Sequence, residues 1–201
     1  MTEITNHESN SIGGLKGHLA RRFFHISLAI IPWLYYAKGE AIGERIGITP
    51  NQFVSIVLLL AIVGEYWRLR SGVVFFGQRS YESTQISALC WGAIAMATIF
   101  LIFEDGAYGY PLIWSLTFVD PLLGELRRSQ IAETKVLTIG IIATFSIWLL
   151  CYHWYATPLL MVMILPVIVV LSEKPRLDWI DDNAMMLLIP GLAVLMLENW
   201  I

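Results

Sequence analysis

Charge is scarce in this sequence: only 14% of its 201 residues are Asp, Glu, Lys or Arg, against roughly 25% in an ordinary soluble domain. Apolar residues make up 57%, with a mean hydropathy of +0.65. So little polar surface cannot clothe a water-soluble body of this size, and lipid is the expected solvent. Cysteine is nearly missing. Cys90 and Cys151 lie far apart inside apolar runs, which excludes a disulfide framework or zinc-ligand spacing and leaves two small core residues. The phosphate loop GxxxxGK followed by Ser or Thr, the dinucleotide turn GxGxxG and the zincin HExxH are all absent. The common soluble nucleotide folds and zinc hydrolases are thereby excluded. Residues 1–20 have no basic cluster leading into an apolar stretch, so no cleaved signal peptide is expected there. The net charge of −3 does not itself point to a partner, because placement matters more than the sum; no nucleic-acid partner is expected.

What is present is a succession of apolar runs: Phe23–Ala37, Phe53–Trp67, Ile86–Phe103, Tyr108–Leu123, Val136–Trp154, Pro158–Leu171 and Ala184–Trp200. A spanning helix takes about 20 apolar residues, and flanking residues complete the shorter runs. The expected fold is all-α: a polytopic membrane helical bundle of about seven transmembrane helices. Residues 1–20 read as a flexible tail that turns helical near Leu15, and 21–201 as a single transmembrane domain. Pro32, Pro111, Pro166 and Pro190 fall in or beside the runs as tolerated kinks. Trp and Tyr gather near run ends, as in interfacial aromatic belts.

If the helices alternate in direction, one side of the membrane receives eleven of the 13 Lys and Arg residues, and only Lys38 and Arg45 fall on the other. Positive-inside bias then places the N-terminus in the cytoplasm and the C-terminus outside, as in a bacterial inner membrane. The same side receives Glu65, Glu82, Asp120, Glu125, Glu133, Glu173, Asp178, Asp181 and Asp182. Asp120 stands out because it sits between PLIWSLTFV and PLLG, in or just below a span. A carboxylate at that depth costs a few kcal/mol and is by default a functional candidate. The alternative is an ion pair with Arg127 or Arg128.

Arg21, Arg22 and His25 share one helix face at spacings of four and three, and arginine forks match phosphate geometry. Glu65 with Arg68, and Arg79 with Glu82, sit at i, i+3; each pair reads either as a local ion pair or as part of a site. Asp181, Asp182 and Asn183 offer hard oxygen ligands of the kind Mg²⁺ prefers alongside substrate phosphates, or they cap the last helix. Several carboxylates, several arginines and a bilayer beside them suit a Mg²⁺–nucleotide acting on a lipid head group.

In order along the chain, Arg21-Arg22-Phe-Phe-His25, Glu65-Tyr-Trp-Arg68, Arg79-Ser-Tyr-Glu82, Val119-Asp120-Pro-Leu-Leu-Gly124, Lys135-Val-Leu-Thr138-Ile-Gly140, and Glu173 followed by Asp181-Asp182-Asn183 and Pro190 resemble the motifs of the CTP-dependent lipid-alcohol kinases. That family comprises dolichol kinase, phytol kinase and the diacylglycerol kinase that uses CTP, and is related to the phosphatidate cytidylyltransferases. Val119 and Arg127 stand where the family carries glycines, and the Lys135 loop is the poorest match. The resemblance implies phosphoryl transfer from CTP or another NTP to a membrane lipid alcohol: a polyprenol, a phytol-like alcohol or diacylglycerol. It implies His25, Glu65 and Asp120 as catalytic residues. Arg21, Arg22, Arg68, Arg79, Glu82, Gly124, Arg127, Arg128 and Lys135 would bind nucleotide and phosphate. Asp120, Glu173, Asp181, Asp182 and Asn183 would hold Mg²⁺. The alternatives are a CDP-lipid-forming cytidylyltransferase, a non-catalytic relative that binds lipid or a partner, and a small transporter. The last is disfavoured because the ionisable residues gather on one side instead of lining a path through the midplane.

Overall fold

The computed structural model describes residues 11–175, 177 and 179–198. The expectations placed on residues 1–10, Arg176, Asp178 and Trp200 lie outside that range. The described chain is all-α. Helix α1 (Gly14–Ser27) continues through a 3-10 turn at Leu28–Ile30 and a π-turn at Trp33–Ala37. Then come α2 (Gly39–Ile46), α3 (Pro50–Ser71), a 3-10 turn at Ser80–Ser83, α4 (Ala88–Ile102), α5 (Gly106–Trp114), a π-turn at Ser115–Val119, α6 (Asp120–Arg128), α7 (Glu133–Tyr155), α8 (Leu159–Ser172) and α9 (Asp182–Glu198).

The described residues of each of the seven apolar runs fall largely on a helical rod. Helix α1 starts at Gly14, close to the start expected near Leu15, and the residues before it are held to the 77–78 turn by backbone bonds (Ile12 N donates to Gln78 O at 2.8 Å, Gly77 N to Ile12 O at 3.0 Å). Helix α2 was not expected, since its eight residues are too polar for a span.

Helix ends follow local chemistry. Thr49 and Gln52 form a capping box with Pro50 in the first turn of α3, and Gly72 ends that helix in the left-handed conformation. Ser87 caps α4 by accepting from Cys90 N, and Asp105 caps α5 by accepting from Ala107 N. The rod from Gly106 to Arg128 is continuous but irregular. Pro111 lacks an N–H inside α5, the π-turn follows, and Pro121 sits in the first turn of α6.

The core lies among α4, α5, α7, α8 and α9. Ile99, Leu112, Leu116, Trp148, Leu165 and Leu187 are all sealed from solvent there. Its polar atoms are satisfied: Trp148 Nε1 donates to Ser115 Oγ (3.0 Å), which donates to Pro111 O (2.6 Å). Gly140 of α7 allows close packing, since a Cβ there would stand 2.6 Å from Leu123 Cδ2. Cys90 and Cys151 are buried and free. Helix α3 lies outside this core, with only 11% of its most apolar stretch buried. Among the described residues two helices, α3 and α7, are long and apolar enough to cross a membrane, and α4 and α8 are shorter apolar helices.

Candidate functional site

Helix α1 presents His18, Arg21, Arg22 and His25 along one stripe, at spacings of three and four. Helix α6 answers with Asp120, Gly124 and Arg127 at the same period. The π-turn before α6 shifts the register of the rod, and its Leu116 carbonyl accepts from both Asp120 N and His25 Nε2 (3.1 Å). A carbonyl only accepts, so Nε2 of His25 is the donor in that bond. Asp120 Oδ2 stands 3.5 Å from Arg22 Nη1 and 3.7 Å from His25 Nε2, with its side chain 16% exposed. The sequence alternative paired Asp120 with Arg127 or Arg128; the structure corrects it. Arg127 makes a two-pronged pair with Glu173 and reaches Glu133 at 3.2 Å, while Arg128 pairs with Glu125 at 3.0 Å. Both arginines lie a full turn or more beyond Asp120 on α6, whereas α1 crosses directly over it.

Gly124 lets Arg22 lie against α6 at this crossing. Arg22 Nη2 lies 2.2 Å from where a Cβ would stand, so the guanidinium occupies the space of the missing side chain. Arg22 Nε is buried without a well-formed hydrogen bond, although Glu125 Oε1 lies 3.4 Å away.

His18, Arg21, Arg22, Asp120, Gly124 and Arg127 border a polar cavity of about 880 Å³, lined also by Arg79, Glu133, Glu173, Lys174, Asp181 and Asp182. Burial pushes the Glu173 carboxyl up; Arg127 pulls it back, and the charges of Asp120 and Asp182 add to the rise. Burial, then the neighbouring Asp182 charge, pushes the Asp181 carboxyl up to about 7. The predicted metal set therefore gathers around one cavity, yet among the described residues no three His, Cys, Asp or Glu side chains converge into a ready-made metal site. Hard carboxylate oxygens without a full cage suit Mg²⁺, which takes one or two carboxylates and completes its shell with phosphates and water. Asn183 departs from that set. It lines a second cavity, and its amide Nδ2 and backbone N both donate to Asp181.

The second cavity is apolar, about 870 Å³, and runs between α1, α3 and α4. Arg21, Glu82 and Ala88 line both cavities, so a charged chamber and a greasy one share a wall. His25 borders the apolar side.

Other predicted site residues are placed elsewhere. Glu65 and Arg68 form a closed unit. Arg68, 1% exposed, donates Nε and Nη2 to Glu65 (2.9 and 2.7 Å) and its remaining N–H groups to Val73 O, Glu82 O and Gln85 O (3.1, 2.7 and 2.8 Å). All five guanidinium donors are spent. Glu65 also accepts from Ser87 N and Oγ (2.6 and 3.0 Å). Neither has an atom left for substrate. Arg79 and Glu82 do not form the expected side-chain pair: Glu82 Oε1 accepts from Arg79 N (2.9 Å) and lies 3.4 Å from Arg21 Nη1, while the Arg79 guanidinium bonds Tyr81. Lys135 and Arg128 do not line the polar cavity. His18 was missed. It is 7% exposed and reaches Glu125 at 3.0 Å, and its position one turn before Arg21 and Arg22 was the available signal. No family model, curated protein or solved structure matches this chain.

Proposed function

We propose that this chain is a polytopic membrane enzyme that transfers a phosphoryl group from a Mg²⁺-bound nucleoside triphosphate to a lipid alcohol. The observation that carries this reading is the shared wall between a charged cavity and an apolar one of equal size. A triphosphate suits the first and a hydrocarbon chain the second, and their reacting ends would meet near His25 and Asp120. The bilayer part rests on α3, which exposes Phe53, Ile56, Leu59, Leu60, Val63 and Trp67. The core helix of a water-soluble protein would bury such residues instead. The resemblance described above points to CTP as the donor.

In this reading Arg21, Arg22 and Arg79 neutralise phosphate charge, with Lys174 at the rim. Asp120, Asp181 and Asp182 would hold Mg²⁺, which supplies charge neutralisation on the triphosphate. The alcohol oxygen attacks the γ-phosphorus, forming a new O–P bond as the bond to the β-phosphate oxygen breaks. The hydroxyl proton passes to His25 Nδ1 or to Asp120, and the nucleoside diphosphate leaves. Glu65 and Arg68 take no part except to hold the loop that carries Arg79.

A detergent-micelle assay with γ- or α-labelled CTP and ATP and a panel of lipid alcohols tests this. Label from the γ position in the lipid phase supports the kinase. Label from the α position would assign nucleotidyl transfer, and no label across the panel would leave a non-catalytic lipid binder. Reporter fusions in the 72–80 loop and at the C-terminus should fall on opposite sides of the membrane; the same side would overturn the seven-span arrangement.

A further inference from the structure

Arg22 is held loosely from three sides. Its Nη2 lies in the space left by Gly124, its Nη1 stands 3.5 Å from Asp120 Oδ2, and its Nε stands 3.4 Å from Glu125 Oε1. Two carboxylates share one guanidinium, and neither closes on it. A charged N–H facing a carboxylate normally draws in to about 2.7–2.9 Å, as Arg68 does with Glu65 at 2.7 and 2.9 Å. Arg22 Nε does not, although it is buried.

On the Glu125 side the reason is visible. Both carboxylate oxygens are already engaged, Oε1 with His18 Nε2 at 3.0 Å and Oε2 with Arg128 Nε at 3.0 Å. Burial works to raise the Glu125 carboxyl, but the His18 bond and the charges of Arg128 and Arg22 outweigh it and hold the group below its ordinary value. An ionised carboxylate only accepts, so His18 Nε2 is the donor in that bond. His18 sits one turn before Arg22 on α1, at a spacing of four that puts both on one face. One helix thus carries the arginine and the group that occupies the arginine's nearest free-standing acceptor. His18 is buried, yet it borders the charged cavity beside Arg22.

We propose that His18 is a positioning residue for the triphosphate: by occupying Glu125 Oε1 it keeps Glu125 from capturing Arg22, and so leaves the Arg22 fork free to meet phosphate. The proposal rests on the reading of the charged cavity as a triphosphate site, and adds the group that keeps that site's arginine available. A carboxylate paired on both oxygens has little to offer a third donor, which accounts for the orphaned Nε. Without the His18 donor, Oε1 turns to Arg22 Nε and the pair tightens. The guanidinium then becomes a closed contact of the kind Glu65 makes with Arg68. With His18 in place, a phosphate entering from the cavity meets a fork whose contacts to both carboxylates are 3.4 Å or longer, and two-pronged binding is the geometry in which arginine holds phosphate best.

The test is equilibrium binding of Mg²⁺–tripolyphosphate, the part common to nucleoside triphosphates, to the full chain in detergent. His18→Ala should weaken binding about tenfold, the scale of one hydrogen bond to a charged group. His18→Gln keeps an N–H donor within reach of Glu125 and should restore most of the affinity. Glu125→Gln removes the competing charge and should tighten binding by about two- to fivefold, the scale of a partly exposed ion pair. The double variant His18→Ala/Glu125→Gln separates positioning from packing. The His18 defect should vanish in it, because no carboxylate is left to capture Arg22. A tenfold loss that persists in the Glu125→Gln background would overturn the proposal. Glu125 is half-exposed, so Glu125→Gln keeps the test decisive if His18→Ala fails to fold: a tenfold loss from Glu125→Gln alone would mean that Glu125 serves the phosphate itself, which also overturns the positioning role. Tight wild-type binding that His18→Ala leaves unchanged removes only that role. A wild type that does not bind tripolyphosphate removes the triphosphate reading, and the role of His18 falls with it.

Discussion

Two ion-pair clusters lie within one loop of each other and were equally suggestive as sequence motifs, yet they are built differently. In the Glu65–Arg68 cluster every donor is used, distances fall between 2.6 and 3.1 Å, and the guanidinium is sealed. In the Arg22–His25–Asp120 cluster contacts lengthen to between 3.5 and 3.7 Å, and the carboxylate keeps some access to a cavity. Closed satisfaction holds a fold together. Loose charge beside open volume leaves room for a ligand to complete the shell. The first cluster ties the 72–87 loop to α3; in the second, Arg22 and Asp120 face the chamber where a triphosphate is proposed to bind, and His25 faces the apolar side.

The sharpest way to break this comparison is to remove one charge from each cluster. Asp120→Asn keeps size and most hydrogen bonding, so the fold should persist while turnover in the micelle assay drops by about 10²–10³-fold or more, the scale of lost transition-state electrostatics. Glu65→Gln should do the opposite. It leaves the Arg68 charge buried without its partner, a loss of about 3–5 kcal/mol, read as early melting; the protein that remains folded should keep its turnover. If the outcomes were exchanged, Asp120 would be the structural group and Glu65 the reacting one.

Much of the architecture was legible because apolar run length is a direct physical signal, and the described residues of all seven runs fall largely on helical rods. Helical spacing also puts Arg21, Arg22 and His25 on one face; it could not say that Asp120 meets them there. Other features had no local signature. Spacing of i, i+3 announces Glu65–Arg68 but cannot say that Val73, Glu82 and Gln85 carbonyls, delivered by a loop, use up the other donors. It misled at Arg79 and Glu82, where the backbone N–H rather than the guanidinium meets the carboxylate. The π-turn at Ser115–Val119, which shifts the register just before Asp120, lies between Pro111 and Pro121, and apolar run length does not announce it. Asn183, adjacent to two carboxylates, was assigned to the metal on composition; the backbone turn into α9 puts it against the apolar cavity.

A milder change sharpens the same contrast. Gly124→Ala introduces a methyl group into the space held by the Arg22 guanidinium. Alanine favours the helix by about 1 kcal/mol over glycine, so stability should hold or rise. Arg22 must move off Asp120, and the KM for the nucleotide should increase about tenfold with a smaller change in kcat. A variant with unaltered KM would detach Arg22 from nucleotide binding.

A pH dependence is also expected, and its sign follows from Asp181. Its carboxyl is raised from an ordinary value of 3.8 to about 7 by burial and by Asp182, so the folded chain holds that proton more tightly than the unfolded chain does. Stability in the absence of cation should therefore be greatest at the acidic end of this interval. It should decline as pH climbs from about 4 to about 7, then level off once the group is ionised in both states. A divalent cation competes with the same proton. Mg²⁺ affinity, measured as the Mg²⁺-dependent rise in Tm with CTP present, should strengthen by up to about tenfold per pH unit between pH 5 and 7 and flatten above it. Asp181→Asn should abolish that slope while leaving the Glu65–Arg68 cluster and its contribution to melting untouched. A Mg²⁺ effect independent of pH, or one that survives Asp181→Asn, would place the cation away from the Asp181–Asp182 pair and leave Asp120 to hold it with phosphate oxygens alone.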